Sequence, residues 1–365
     1  MSIQMITFFR RRRRILIVTL LALFLTAIGI QQHLMVATTT VTQQQHKEEY
    51  RPSIFIVAAL RNSEPILDHW TTQVERLVAW AGPSRTFISV YENGSQDKTK
   101  ELLGNWQVKL TDAGIQNKIV LDDANSVSSR MNTTGKNRRI TKLAEIRNLS
   151  LEPLHSQSAG HFDKILYLND IIFDVQDAIR LLTTRDGDYD AVCGMDFYGE
   201  FYDMFASREV DGKWVASGDY PYFADETSQK LLRASDLVPV YSCWNGIVAF
   251  NAKPFAQDQV EFRAVAPDEP DIAAEASECC LIFTDLRALD YTRIFIDPRV
   301  KVAYDKFHYW YARNILPIWT VFLAFTNHPT NQLSNAQEAE WTYRVNKAYE
   351  QGVDPRDYNC LWMTF

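Results

Sequence analysis

The sequence predicts an α/β fold with a mostly parallel sheet flanked by helices. Three observations lead there. Ser53 to Leu60 (SIFIVAAL) and Lys164 to Leu168 (KILYL) are unbroken apolar runs of strand length, the pattern of strands buried on both faces. Segments of helical period alternate with such runs from about residue 51 onward, as parallel crossovers require. The chain is 46% apolar over 365 residues, enough material for a large core.

The elements follow in order. After the first strand, Asn62 or Ser63 can cap a helix and Pro65 fits its first turn. Ile66, Leu67, Trp70, Val74, Leu77 and Val78 recur at helical spacing, and Gly82 with Pro83 stops the run. Thr86 to Tyr91 reads as the second strand, Lys98 to Leu110 as a helix and Lys118 to Leu121 as a short third strand. Asp122 to Arg139 is polar and reads as a loop. Ile140 to Leu151 is helical by period, closed by Pro153. KILYL ends in Asn169 and Asp170; Val175 to Thr183 is the next helix and Tyr189 to Gly194 the next strand. Phe197 to Leu237 mixes aromatics and acids without a period. Tyr241 to Asn251 reads as a turn then a strand, and Arg293 to Tyr304 as one or two strands. The Trp- and Tyr-rich stretch from Phe307 onward shows no period that places it.

Charge divides the chain. Arg10 to Arg14 is an unbroken basic run; taking those five charges from the formal −7 leaves −12 on the remainder. So acidic a body is a poor binder of phosphate backbones, which argues against a nucleic-acid partner. Ile15 to Ile30 follows without a charge. A signal anchor at 15–37 would keep the basic tail (1–14) in the cytosol and the rest in the lumen; a cleaved signal peptide has the same parts. No clean small-x-small site follows the run, which favours the anchor. Residues 38–50 are rich in Thr and Gln and read as a stem, with a catalytic body at 51–310 and an aromatic-rich extension at 311–365 packed on it. Five cysteines without a CxxC pair argue against a zinc ribbon, and in an oxidising lumen they allow one or two disulfides with at least one thiol left over. Sequons fall at Asn93, Asn132 and Asn148; only Asn132 lies in an obviously polar loop.

In open α/β sheets ligands bind beyond the carboxyl ends of the strands. The first strand is followed by Arg61 and Asn62. The second is followed by Glu92, Asn93, Gly94, Ser95 and Asp97, and KILYL by Asn169 and Asp170. These polar exits are the expected layout of a nucleotide site. Asp170 is the candidate ligand of a divalent cation shared with a diphosphate, since hard cations take one or two protein carboxylates and complete their shell with phosphate and water. Arg147, on the helix before that strand, is a candidate phosphate or base contact. Trp244, Asn245, Gly246 and Glu278 suggest an acceptor site, a Trp face for a sugar and polar groups for its hydroxyls. His308 is a further candidate metal ligand; Asp285 and Asp305 are acids with nothing to separate them from surface carboxylates. No G-x-S-x-G, H-E-x-x-H, Walker loop or G-x-G-x-x-G occurs.

These pieces in this order resemble the GT-A glycosyltransferases, whose Rossmann-like fold often carries an N-D-G-S-x-D-x-T loop, here Glu92 to Thr99. An Arg-Asn helix often precedes an acidic metal motif, here Arg147-Asn148 and then Asn169-Asp170. The usual D-x-D lacks its first acid in Leu168-Asn169-Asp170. More closely, LRNSEPIL, VYENGSQDKTKELL, LAEIRN, ILYLNDIIF, RDGDYDAVCGMDF, PVYSCWNGIVAF, SECC and VKVAYD are similar to the fungal capsule-associated α-1,3-mannosyltransferases, glycosyltransferase family 69. The resemblance implies GDP-mannose as donor, Mn²⁺ or Mg²⁺, a mannose-containing glycan acceptor, and a Golgi lumenal body on a single type II anchor. A complex with other glycosyltransferases is a further expectation. It implies retaining transfer, with the metal at Asp170 and the Arg147 side chain offsetting charge on the leaving diphosphate, and Glu278 positioning the acceptor.

Other readings stand beside it: a transferase using another nucleotide sugar, a glycosidase with paired carboxylates such as Asp170 and Glu278, and a non-catalytic lumenal glycan-binding or assembly protein on the same scaffold.

Overall fold

The structure, a computed structural model, describes residues 50–121, 136–156, 158–215, 217–265, 276–326 and 335–361. The chain divides into two units, Met1–Arg51 and Pro52–Phe365. The expected tail, anchor and stem fall in the first and, Tyr50 apart, lie outside the described residues, as do Asn132 and most of the expected loop at 122–139. No helix among the described residues is long and apolar enough to cross a membrane.

The body is built on a nine-stranded sheet. Its strands are β1 (Ile54–Leu60), β2 (Thr86–Glu92), β3 (Gln116–Leu121), β4 (Lys164–Leu168), β5 (Ala191–Tyr198), β6 (Glu200–Phe201), β7 (Val238–Pro239), β8 (Ile247–Asn251) and β9 (Ile294–Ala303). They are ordered β3-β2-β1-β4-β8-β5-β9-β7, with β6 on β5. β1 to β4 are parallel neighbours, β9 runs parallel to β5, and β8 is antiparallel to both β4 and β5. Thus β1, β2, β3, β4, β5 and β9 all end at one edge of the sheet, and β8 begins there. This edge is where the polar strand exits gather.

Both faces are covered, which is why the central strands lack alternation. Phe55 and Val57 of β1 and Ile165 and Tyr167 of β4 join one core. Ile54, Ile56, Leu166 and Leu168 join the other. The helices α1 (Glu64–Ala81), α2 (Thr99–Asp112) and α4 (Val175–Leu182) bury Trp70, Leu77, Leu103, Trp106 and Ile179 against the second face. The first receives Ala144, Leu151 and Leu154 of α3 (Lys136–His155) and Ile282, Phe283 and Leu286 of α7 (Glu278–Ala288). α5 (Glu226–Ala234) and α6 (Lys253–Ala256) complete the middle of the chain.

One expectation changes, and two segments left open take a definite form. Pro153 sits inside α3, which runs on to His155. Arg293 to Tyr304 is a single strand, β9, whose pairing with β5 shifts register between Cys193 and Met195. A Cβ on Gly194 at that shift would lie 2.7 Å from Val300 Cγ1, so the irregular strand is tied to a residue without a side chain. The tail is helical: α8 (Lys306–Asn314), α9 (Leu316–Thr326) and α10 (Asn335–Glu350).

Two disulfides form, Cys193–Cys243 and Cys280–Cys360, and Cys279 stays a buried thiol. The second closes an 80-residue separation and crosses a small core of Leu281, Ala348, Val353 and Leu361 that fastens the tail to α7. Constraining so long a loop in the unfolded chain contributes about 2–4 kcal/mol. Cys280→Ala/Cys360→Ala is therefore expected to melt several degrees below the parent, read by calorimetry. Equal melting would contradict this account of the tail.

Candidate active site

The β1 and β2 exits interlock through side chain to backbone bonds. The Asn62 amide donates to Ser95 Oγ (2.8 Å), and Gln96 N donates to Asn62 Oδ1 (2.9 Å). Ser63 N donates to Thr99 Oγ1 (2.8 Å) and Glu64 N to Asp97 Oδ2 (3.1 Å). Asp97 also accepts from Thr99 N (3.0 Å), at the start of α2. Glu92, fully buried, accepts from Ser95 N and lies 3.8 Å from Lys100. Asn62 takes a left-handed φ of 51° and Gly94 one of 68°, the conformations that a tight βα turn requires. Asn62, Ser95 and Asp97 thus build an interlocked rim at the β1 and β2 exits, where Arg61, Asn62 and Gln96 are exposed. Asn93 is 9% exposed and donates its amide to Leu60 O (2.9 Å), an enclosed place for a sequon.

The β4 exit lies beside this rim, with only β1 between β2 and β4; two strand spacings are about 10 Å. Asn169 is fixed on all sides. Its carbonyl accepts from Trp70 Nε1 (3.1 Å), its Oδ1 from Trp244 Nε1 (3.2 Å), and its amide donates to Gly246 O (2.9 Å). Asp170 follows on this anchored turn and makes no side-chain hydrogen bond or ion pair to another described residue. Burial pushes its carboxyl above the ordinary carboxylate range, opposed by its own backbone and by the positive field of Arg147.

Arg147 does not face solvent. It is 9% exposed, its Nε donates to Glu278 Oε1 (3.0 Å), and its guanidinium lies 4.3 Å from the Trp244 ring and 5.3 Å from that of Tyr167. The direct phosphate contact expected for it gives way to a buried cation that braces Trp244, and through Trp244 the Asn169 turn. Glu278, capped into α7 by Ser277, is 3% exposed and has its carboxylate on Arg147. It does not present an acid to a sugar, which also removes one half of the paired-carboxylate alternative.

Trp244, Asn245 and Gly246 are likewise enclosed. Trp244 is 3% exposed, so the open sugar-stacking face expected of it is absent. Asn245 donates to Gly194 O (2.7 Å), accepts from Ser207 Oγ (2.9 Å) and gives its amide to Asp203 Oδ2 (3.1 Å). Gly246 has φ +75°, and a Cβ there would meet Ile171 Cγ2 at 2.8 Å. The three form a buried turn that ties β8 to the β4 exit. Asn148, beside Arg147, holds the backbone of Phe262 with both polar atoms (2.8 Å each), so its sequon is engaged in packing.

The end of β5 and the turn after β6 contribute acids that the sequence reading passed over. Asp196, fully buried, accepts from Tyr304 Oη (2.7 Å) and from the Asp203 amide (3.0 Å). Asp203 accepts from Ala206 N (3.0 Å) and Asn245 N. Burial, reinforced by the Asp203 charge, lifts Asp196 to about 7; burial also raises Asp203. Tyr304 is pushed well above its usual value, by burial first and then by the charges of Asp196, Asp203 and Asp170, which places all three acids in one field. The same strand-exit rule that found Asp170 points to Asp196, the acid at the end of the apolar stretch AVCGM.

This pair has a pH signature. A carboxyl raised in the folded state holds a proton that the unfolded chain releases near pH 4. Its stabilising contribution is therefore complete below about pH 4 and is lost as pH rises through about 7. Asp196→Asn should lose more stability relative to the parent at pH 5 than at pH 8, by on the order of 1–3 kcal/mol, measured by denaturant titration at both pH values. A difference independent of pH would contradict the assignment.

His308 sits in the first turn of α8. Asp305 caps that helix, accepting from the His308 amide (2.9 Å) and pairing with its Nδ1 (2.6 Å), while the ring lies 4.2 Å from that of Tyr198. Among the described residues no group of three or more His, Cys, Asp or Glu side chains could hold a metal ion. Asp170 and His308 are therefore not part of a protein-only cage. A single carboxylate oxygen donor at an anchored exit does fit a hard cation that reaches the site on a diphosphate.

Residues 53–285 match the family described as cryptococcal mannosyltransferase 1. The α-1,3-mannosyltransferase CMT1 of Cryptococcus neoformans var. neoformans serotype D is 24% identical over 287 residues, 71% of this chain and 59% of that protein. The chain thus spans about three fifths of that relative's length. Among solved structures, the mannosyltransferase PcManGT from Pyrobaculum calidifontis, in complex with GDP-Man and Mn²⁺, is similar at 12% identity and TM-score 0.40, covering 85% of this chain and 86% of that one. TarS of S. aureus is similar at 11% identity and TM-score 0.39, covering 82% and 72%. The family match takes in the β1, β2, β4 and β5 exits and the Arg147–Glu278 pair, and the chain belongs to the cryptococcal mannosyltransferase 1 family.

Proposed function

We propose that the protein is a nucleotide-sugar-dependent glycosyltransferase that moves mannose from GDP-mannose to a mannose-containing glycan, with the α configuration retained. One observation carries the reading: β2, β1 and β4 are adjacent and parallel, so the polar exits Arg61-Asn62, Glu92 to Asp97 and Asn169-Asp170 lie side by side at one edge of the sheet. Membership of a mannosyltransferase family and similarity to an α-1,3-mannosyltransferase favour mannose as the sugar.

In this reading the nucleotide lies over the interlocked β1–β2 rim and the diphosphate reaches Asp170. Mn²⁺ or Mg²⁺, when bound there, neutralises charge developing on the leaving diphosphate. The chain's own contribution is positional. Trp70, Trp244 and Gly246 hold Asn169, so that the Asp170 carboxylate is fixed before substrate arrives. Arg147 keeps positive charge beneath the site without competing for phosphate. The buried acids and aromatic floor exclude water from the sugar's reactive carbon. Retention needs no strong protein base, and none is assigned.

We further propose a membrane anchor at 15–37, a stem at 38–50, a catalytic body at 51–310 and a type II Golgi setting. The basic-apolar sequence at the N-terminus and the two disulfides, which suit an oxidising lumen, support this.

The test is a panel of nucleotide sugars given to the purified full chain with Mn²⁺, reading nucleoside diphosphate release with and without mannobiose. GDP-mannose should give acceptor-stimulated release. Release from another donor alone would reassign the sugar. Mannoside binding without turnover of any donor would favour the non-catalytic reading, which the missing first acid of the metal motif suggests.

A further inference from the structure

The turn of Trp244 to Gly246 is buried, so an acceptor must meet another surface. A row of rings leads from solvent to the acid cluster. Phe307 lies 5.2 Å from His308, His308 4.2 Å from Tyr198, Tyr198 6.0 Å from Tyr202, and Tyr202 5.3 Å from Tyr304, centroid to centroid. Tyr304 then donates to Asp196 (2.7 Å). Three junctions of the fold supply these rings: the end of β5, the residue after β6, and the passage from β9 into α8.

The local sequence explains why they are displayed. Phe197 and Phe201 turn inward and are 1% exposed, so the alternation of the β5–β6 hairpin throws Tyr198 and Tyr202 outward, each 58% exposed. Phe307 is 64% exposed. His308 is not free to rotate, because Asp305 holds both its amide and its Nδ1; it is a fixed base for the Tyr198 ring. Exposed aromatics grouped in this way mark a binding surface, and Tyr offers an apolar face with a polar rim.

We propose that this row is the acceptor subsite, a shelf on which the pyranose rings of a neutral glycan stack, the terminal sugar nearest Tyr304 and Asp170. The proposal rests on the transferase reading for the word acceptor, and on the rings alone for glycan binding. Neutrality follows from the neighbours: the row ends on Tyr304, which donates to Asp196 (2.7 Å), and Asp203 gives its amide to the same carboxylate (3.0 Å), so acids rather than cations stand at its inner end and offer an anionic chain or headgroup no partner. Aromatic faces with hydroxyl rims suit the mixed apolar and polar faces of a sugar better than an acyl chain.

Tyr198→Ala and Tyr202→Ala in the full chain, with Tyr349→Ala on α10 as an exposed control (75%), test it. Each shelf variant should raise the acceptor KM about three- to tenfold, more for mannotetraose than for mannobiose. Acceptor-independent GDP release from GDP-mannose and melting temperature should stay unchanged. Tyr202→Phe should restore the part of the loss that comes from stacking, since it keeps the ring and removes only the hydroxyl of the polar rim. Mannotetraose titration followed by calorimetry is the second readout. If no donor is turned over yet the parent binds mannotetraose and the Ala variants do not, the transferase reading falls and the shelf stands. Parent-like KM and parent-like mannotetraose binding in the variants, or no mannotetraose binding by the parent, overturns the shelf.

Discussion

Asp170→Ala is expected to lower GDP-mannose-dependent transfer by about 10³-fold or more, with a melting temperature close to the parent. The magnitude is that of removing a preorganised charge from the point where transition-state charge develops. The fold should tolerate it, because Asp170 supports no other described residue, whereas Asn169 beside it carries the bonds to Trp70, Trp244 and Gly246. Losing a desolvated carboxylate that burial already disfavours should be neutral or slightly stabilising. Asp170→Asn keeps shape and removes charge, and should lose as much activity as alanine. Steady-state transfer assays on the three proteins check this; an alanine variant within tenfold of the parent would remove Asp170 from the reaction.

The second large effect is on stability. Arg147→Ala leaves the Glu278 carboxylate, 3% exposed, without its partner and strips the guanidinium from the rings of Trp244 and Tyr167. Breaking one side of a buried pair costs about 3–5 kcal/mol. The paired substitution Arg147→Met/Glu278→Leu should recover most of that, since two well-packed apolar side chains replace two desolvated charges. Denaturant midpoints of single and paired variants measure the difference. Activity should not recover in parallel, because Trp244 then loses the cation that sets its ring beneath Asn169. Full activity in the paired variant would limit Arg147 to a packing role; single variants as stable as the parent would contradict the buried-pair account.

Much of the sheet is legible in the sequence because its strands are covered on both sides. KILYL coincides with β4 at both ends, and the β1 and β2 runs differ from the observed strands by one residue. The exits are legible for the same reason: a polar residue that ends an apolar run must lie at the sheet's edge. Burial of the side chains between the strands is not. Arg147 pairs with a glutamate 131 residues away, while Glu145 and Glu152 are the acids nearest to it in the sequence of α3. Trp244 reads equally as core or platform until Tyr167 and Phe262 are seen to enclose it at 4.8 and 5.5 Å. The Asp196–Asp203 pair is joined by a turn without period. The tail defeats periodicity because aromatics occur all round α8 and α9, with Trp310 and Trp319 exposed and Ala312 and Leu316 buried. Pro153 shows that a proline near a helix end need not stop it.

The measurement that bears most directly on the central claim is calorimetric titration of GDP into the full chain, with and without Mn²⁺, for the parent and for Asp170→Ala. A crevice that shares a cation with the diphosphate predicts binding tightened at least tenfold by Mn²⁺ in the parent, and the loss of that increment in the variant. Equal affinities in all four titrations, or an Mn²⁺ increment that survives in Asp170→Ala, would contradict it.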